Sequence, residues 1–280
     1  MKTPVWIIDT LLNEGNVQSL EMALSDNDTE YVKTKYLPFS TVPEIDLKDF
    51  SNAVIYGTVE FVRQIQNIYI LTPGAYLNNK QLMFSHYACY YHEFLMNKDF
   101  EIRPFGLIKK AWKENEPYSN GAATFIRPDV VTKTFAGQLF VTAEDLEDIN
   151  RLEHVPIETL CILASNKRIL EETRFLVVNK KVVAGSTYKK QNELFISGDY
   201  DPKAKEFLED MLNKVDWVPD SVFIADIALF QDQSDVGYHP KAYGLIECNS
   251  FSCAGLYDMN LFDVVKHVNE AAIKEFYGDI

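Results

Sequence analysis

Two textures of apolar and polar positions divide the chain. Over the first hundred residues short apolar runs (Val5 to Ile8, Ala53 to Tyr56, Tyr69 to Leu71) alternate with stretches of helical spacing, Val59 to Ile65 and Lys80 to Asn97. Thr72-Pro73-Gly74 closes the third run as a turn signal. Strands that alternate with helices of this length predict a parallel sheet covered by helices. Beyond the polar stretch Lys113 to Gly121, which reads as a linker or loop, the strands crowd together: Ala123–Ile126, Leu139–Thr142, Leu160–Ala164, Arg174–Val178 and Lys181–Ala184. Asn179-Lys180 sits where the last two would turn as a hairpin. A helix over Pro202 to Val215 follows, then strands Val222–Ala228 and Gly244–Cys248. A closing helix has Asp258 as its expected N-cap and a stripe of Leu261, Val264, Val265, Val268, Ala271 and Ala272. The second texture predicts an α+β fold, an antiparallel sheet covered by helices.

Composition narrows the class. With 280 residues, 47% hydrophobic and 24% charged, the chain can bury a full core without staples. The four cysteines show neither disulfide-framework nor zinc spacing, and the five histidines lack partners at diagnostic spacing. The start is too short in apolar residues for a signal core, and no apolar run approaches the length of a bilayer span, so a cytoplasmic protein without a membrane anchor is expected.

The net charge of −14 argues against broad contact with a nucleic-acid backbone. That charge is uneven. Between Glu101 and Lys190 there are 14 basic and 12 acidic residues, against 13 and 29 in the remainder. A near-neutral middle in an acidic chain suits a small anionic ligand such as a nucleotide.

Three segments place ionisable residues inside apolar strands, where an unpaired charge costs several kcal/mol. Phe125-Ile126-Arg127-Pro128-Asp129, then Lys133, then Gly137, reads either as a phosphate grasp or as a surface hairpin with solvated charges. Glu172 and Arg174 lie two apart and share a strand face, as a structural ion pair or as an anion-binding arginine held by its carboxylate. Asp226 on one strand and Glu247 with Asn249 on another would supply oxygen ligands to magnesium if those strands are neighbours.

In this order, FIRPD…K…FAG, then ETRFLVVNKKVVAGS, then DIA, then LIECNSFSCAGLYD, the chain resembles the ATP-grasp superfamily. It is most similar to a compact, often phage-encoded clade marked by an arginine and lysines. The resemblance covers roughly residue 100 to the end. It implies an ATP-grasp domain over 109–280, two α+β lobes holding ATP, preceded by an α/β pre-ATP-grasp domain over 1–108. It further implies that Arg127, Lys133 and Gly137 meet the ATP phosphates. Ala164 and Ser165 would border adenine, and Glu172 and Arg174 would flank the transferred phosphate. Lys189 would face the acceptor, and Asp226, Glu247 and Asn249 would hold Mg2+. Arg127-Pro128 replaces the usual lysine-proline, and the phosphate loop keeps one glycine. The implied activity is an ADP-forming carboxylate–amine ligation through an acylphosphate, with small-molecule or peptide substrates. A kinase that stops at phosphoryl transfer and a non-catalytic nucleotide-binding module are the alternatives.

Overall fold

The computed structural model describes residues 2–12, 14–35, 46–47, 50–113, 123–130, 134–232 and 240–278. The first sheet is all parallel. It runs in the order β2 (Tyr31–Thr34), β1 (Val5–Asp9), β3 (Asn52–Tyr56), β4 (Thr72–Gly74). Helices α1 (Glu14–Asp26) and α2 (Val59–Ile68) make its crossovers. All five residues of β1 are buried, as a strand covered on both faces requires.

The expected strand at Tyr69–Leu71 is corrected. Tyr69 closes α2 by donating its N–H to Ile65, and Ile70 is 98% exposed. The strand begins at Thr72, where its N–H reaches the Ser51 carbonyl. The long helix expected from Lys80 is also shorter, comprising α3 (Phe84–Tyr91) and one 3-10 turn over His92–Phe94. Asp129, from a distant strand end, accepts from Ser85 N at 2.7 Å and from Ser85 Oγ at 2.6 Å, which fixes where α3 starts.

A second, antiparallel sheet has the order β5 (Glu101–Pro104), β8 (Leu160–Ser165), β6 (Thr124–Pro128), β7 (Gln138–Phe140). Helices α4 (Phe105–Lys113) and α5 (Ala143–Glu153) share its core with Phe105, Ile108, Trp112 and Leu146. Past Lys113 the expected linker lies outside the described residues.

The third sheet, also antiparallel, runs β11 (Glu193–Ser197), β10 (Lys181–Lys190), β9 (Lys167–Val178), β12 (Val222–Asp232), β13 (Ala242–Ser250). The β9–β10 hairpin turns at Asn179-Lys180, both with positive φ (47° and 63°), the backbone of a type I′ turn. Alternate residues of β9 and β12 enter two cores. Phe175, Val177, Phe223 and Ala225 pack with α6 (Pro202–Lys214) and α2, and Leu176, Val178, Val222 and Ile224 pack with α1 and α7 (Leu261–Tyr277). The first and third sheets are thereby joined through shared cores.

The N-cap of α7 is Asn260, whose Oδ1 accepts from Phe262 and Asp263. Asp258 instead accepts the Gly198 N–H at Oδ2, 2.7 Å away, which ties it to the turn after β11 through that one oxygen. At Gly244 a Cβ would lie 2.7 Å from the Met96 backbone. A glycine there lets the chain after α3 run against β13, with Met96 N–H bonded to Leu245 O at 2.9 Å. No described helix is long and apolar enough to cross a membrane.

Candidate functional site

Three charged residues form one row across the third sheet. Arg174 on β9 is in register with Asp226 on β12, and Asp226 with Glu247 on β13. The two-residue period of a strand adds Glu172 and Asn249 to the same face. Arg174 clasps Asp226 through Nε and Nη2, both at 2.8 Å, and its Nη1 donates to the Gly255 carbonyl at 3.0 Å. This two-pronged geometry suits a planar guanidinium. Tyr188 and Tyr257 stack 5.0 Å apart, with the guanidinium carbon 5.3 and 5.1 Å from their centroids. Burial opposes the Arg174 charge, but Asp226 more than offsets it, so its pKa lies above the ordinary value.

The row continues into the second sheet. Arg127, at the end of β6, reaches Glu247 Oε2 through Nη1 at 2.6 Å, with both side chains about nine-tenths buried. The Asn249 amide nitrogen bridges the two acids, 2.9 Å from Glu247 Oε1 and 3.1 Å from Asp226 Oδ2. Arg127 is also raised: burial works against the charge, and Glu247 reverses the sign. On the other side, Glu172 accepts from Tyr188 OH at 2.5 Å and pairs with Lys189 at 3.1 Å.

These groups border a cavity of about 410 Å³ between the second and third sheets. Arg127, Lys167, Arg168 and Lys189 bring positive charge to its wall, and Glu172 and Glu247 bring negative charge. Phe125, Leu139 and Ile169 supply apolar surface. Lys167 has a side chain 5% exposed, held by Asp99 at 3.1 Å and Asp232 at 3.6 Å. A cleft with apolar walls, clustered cations and a few carboxylates has the chemistry to take a flat base with an anionic tail.

A family model described as ATP-grasp domain, R2K clade family 2, matches residues 101–267, more than half of the chain. The chain belongs to the ATP-grasp family. Solved structures carry the same fold across nearly all of its length. A RimK domain ATP-grasp protein from Sphaerobacter thermophilus is 11% identical with TM-score 0.59, covering 96% of this chain and 99% of that one. D-alanyl-alanine synthetase A from Vibrio cholerae is 10% identical with TM-score 0.60, covering 98% and 97%. The ATP-grasp ligase PsnB, solved with a phosphomimetic precursor variant, Mg and ADP, is 10% identical with TM-score 0.54, covering 97% and 98%. No curated protein matches the chain.

The ATP-grasp fold gathers most of the residues singled out in the sequence. Arg127, Gly137, Ser165, Glu172, Lys189 and Glu247 line the cavity. Arg174, Asp226 and Asn249 stand behind them in one hydrogen-bonded row. Ala164 is fully buried, its backbone paired within the sheet to Phe125. Lys133 lies outside the described residues. At Gly137 a Cβ would meet Phe125 Cζ at 2.8 Å and Arg127 Cβ at 3.1 Å, so this glycine lets β7 close on the cavity's arginine.

The sequence reading missed Lys167 and Arg168, though two adjacent cations closely following an apolar strand were a visible signal. It also missed Tyr257, which has a left-handed backbone (φ 50°) and stacks on Tyr188.

Proposed function

We propose that this ATP-grasp chain is an ATP-dependent carboxylate–amine ligase. In the first step a substrate carboxylate oxygen attacks the γ-phosphorus of ATP, and the bond to the β–γ bridging oxygen breaks, releasing ADP and leaving an acylphosphate. In the second an amine nitrogen attacks the acyl carbon. The C–O bond to phosphate breaks with its electron pair, phosphate departs, and the amine proton passes to solvent. The observation that carries this reading is the cavity itself, where four cations face a carboxylate row held rigid by register and by arginines. Arg127, Lys167 and Arg168 would bind phosphate oxygens, and Lys189 would orient the acceptor carboxylate. Arg174 would stabilise charge on the transferred group, positioned by Asp226 and the two tyrosines. Fixed charges that need no rearrangement are the main source of rate in phosphoryl transfer.

Asp226, Glu247 and Asn249 fit Mg2+ by donor chemistry, with side-chain oxygens on one face of an antiparallel pair. The Asn249 amide, whose nitrogen now donates to both acids, would turn its oxygen to the ion. Among the described residues no three His, Cys, Asp or Glu side chains cluster tightly enough to hold a metal by themselves. ATP phosphates and water would therefore complete the shell. Bound magnesium supplies neutralisation of the triphosphate charge. PsnB, solved with Mg and ADP, supports this cofactor pair by analogy of fold.

We read the first sheet as a pre-ATP-grasp module. The boundary expected after residue 108 falls inside α4, and one ahead of β5, near residue 100, keeps each sheet whole. The enzyme would act in the cytoplasm on small-molecule or peptide substrates.

The test is ADP release from the purified chain with ATP, Mg2+ and a library of carboxylates and amines, followed by mass spectrometry. ADP formation that requires both partners, with a new amide, supports the ligase. A stable phosphorylated product formed without amine replaces it with a kinase, and ATP binding without ADP over the whole library rejects catalysis.

A further inference from the structure

A second cavity, of about 240 Å³, opens between the first sheet and the loop after β13. Its wall includes Leu20 of α1, Tyr56 at the end of β3, and Leu256 and Met259 of the loop, all buried. The loop is tied to the first sheet by Gly57 N–H to Ser252 O at 2.9 Å and by Tyr56 OH to Ala254 O at 2.7 Å.

Charge separates the two cavities. The larger carries four cations. On the wall of the smaller, among the described residues, there is one carboxylate, Asp258, and no Lys, Arg or His. The two adjoin. Tyr188 borders the larger and Tyr257 the smaller, the two rings are stacked, and Arg174 beside both donates to Gly255 O on the smaller cavity's rim.

We infer that the smaller cavity receives the amine substrate, and that this substrate carries an uncharged apolar side chain of about leucine or phenylalanine size. The inference rests on the ligase reading above. An ammonium is attracted by Asp258, and an apolar side chain fits the Leu20–Tyr56–Leu256–Met259 surface. An acidic side chain would meet Asp258 with no cation to answer it, and desolvating any charged side chain there is costly. The carboxylate substrate is left to the cation-rich cavity, and the amine nitrogen would meet the acyl carbon where the two cavities adjoin beside the Tyr188–Tyr257 stack.

Calorimetric titration of the full chain with L-leucinamide, L-phenylalaninamide, glycinamide and isoglutamine tests this. Each carries the amine without an α-carboxylate. Leucinamide and phenylalaninamide should bind at least tenfold more tightly than glycinamide or isoglutamine, the ratio that burying one such side chain produces. Asn16→Trp, an exposed α1 position on the cavity wall, should weaken leucinamide binding at least tenfold while leaving affinity for a non-hydrolysable ATP analogue within twofold. Equal binding of all four amides, or leucinamide binding indifferent to Asn16→Trp, overturns the assignment. Selective leucinamide binding without amide formation from any carboxylate would instead remove the ligase reading and keep the cavity as an apolar-amine site.

Discussion

Two arginine–carboxylate pairs lie in the same hydrogen-bonded row, yet they are built differently. Arg174–Asp226 joins adjacent strands of one sheet, in register and gripped at two points of 2.8 Å. Arg127–Glu247 spans two sheets, Nη1 to Oε2 at 2.6 Å. The first is positioned by backbone ladders and changes only if the sheet does. The second depends on how the second sheet sits against the third, across the cavity where a nucleotide would enter. Within a sheet the pair is preset by strand register before any ligand arrives, whereas between sheets it depends on how the two sheets approach.

Removing one partner of each pair sharpens the contrast. Asp226→Ala leaves the Arg174 guanidinium buried without its carboxylate, and a loss of about 3–5 kcal/mol in denaturant unfolding is expected. A loss below about 1 kcal/mol would mean the pair does not anchor the sheet. Glu247→Gln keeps a hydrogen-bond acceptor for Arg127, so stability should fall by only about 1–2 kcal/mol. ADP release should drop at least 100-fold, roughly 2.7 kcal/mol of transition-state stabilisation. Wild-type turnover at saturating magnesium would refute the assignment of Glu247 to the metal.

A third carboxylate sharpens the comparison by its different surroundings. Burial raises Asp220 from its ordinary 3.8 to about 7; the Ser221 N–H works against that rise and the nearby Glu275 adds to it. The native state therefore holds a proton that the unfolded chain releases near pH 4. Stability from this group is full below about pH 4 and is lost as pH rises toward 7. Asp220→Asn should flatten the melting temperature between pH 5 and 8 and raise it at pH 8, measured by calorimetry. An unchanged slope would show that Asp220 titrates normally.

The smallest effect belongs to an ion pair of the site that is more exposed than the two arginine pairs. Lys189 is 37% exposed where it meets Glu172. Lys189→Met should cost less than about 1 kcal/mol of stability. A larger loss would place this contact with the buried pairs.

The site was legible where chemistry and local period agree. Glu172 and Arg174, or Glu247 and Asn249, share a face because strands repeat every two residues. Their apolar flanks already marked them as buried charges in need of partners. Helices α1, α4 and α5 escaped the reading. The polar α5, with AEDLEDINRLE, shows a thin apolar stripe that gains meaning only against the second sheet. The edge strand β11 was missed because its apolar Leu194, Phe195 and Ile196 are exposed, so burial did not pattern them. The start of α3 was set by Asp129, forty-four residues away.

The sequence by itself determined the strand faces, the hairpin at Asn179-Lys180 and the set of charges that would have to find partners. Those follow from backbone period, turn sterics and the cost of burying an ion, all of which act over a few residues. Only the tertiary structure decided which arginine meets which carboxylate, that Asn249 lies between two acids, and that a charged and an apolar cavity share a wall of tyrosine. Such choices depend on strand order and on the approach of separate sheets, and contacts between residues far apart in the chain leave no periodic trace along it.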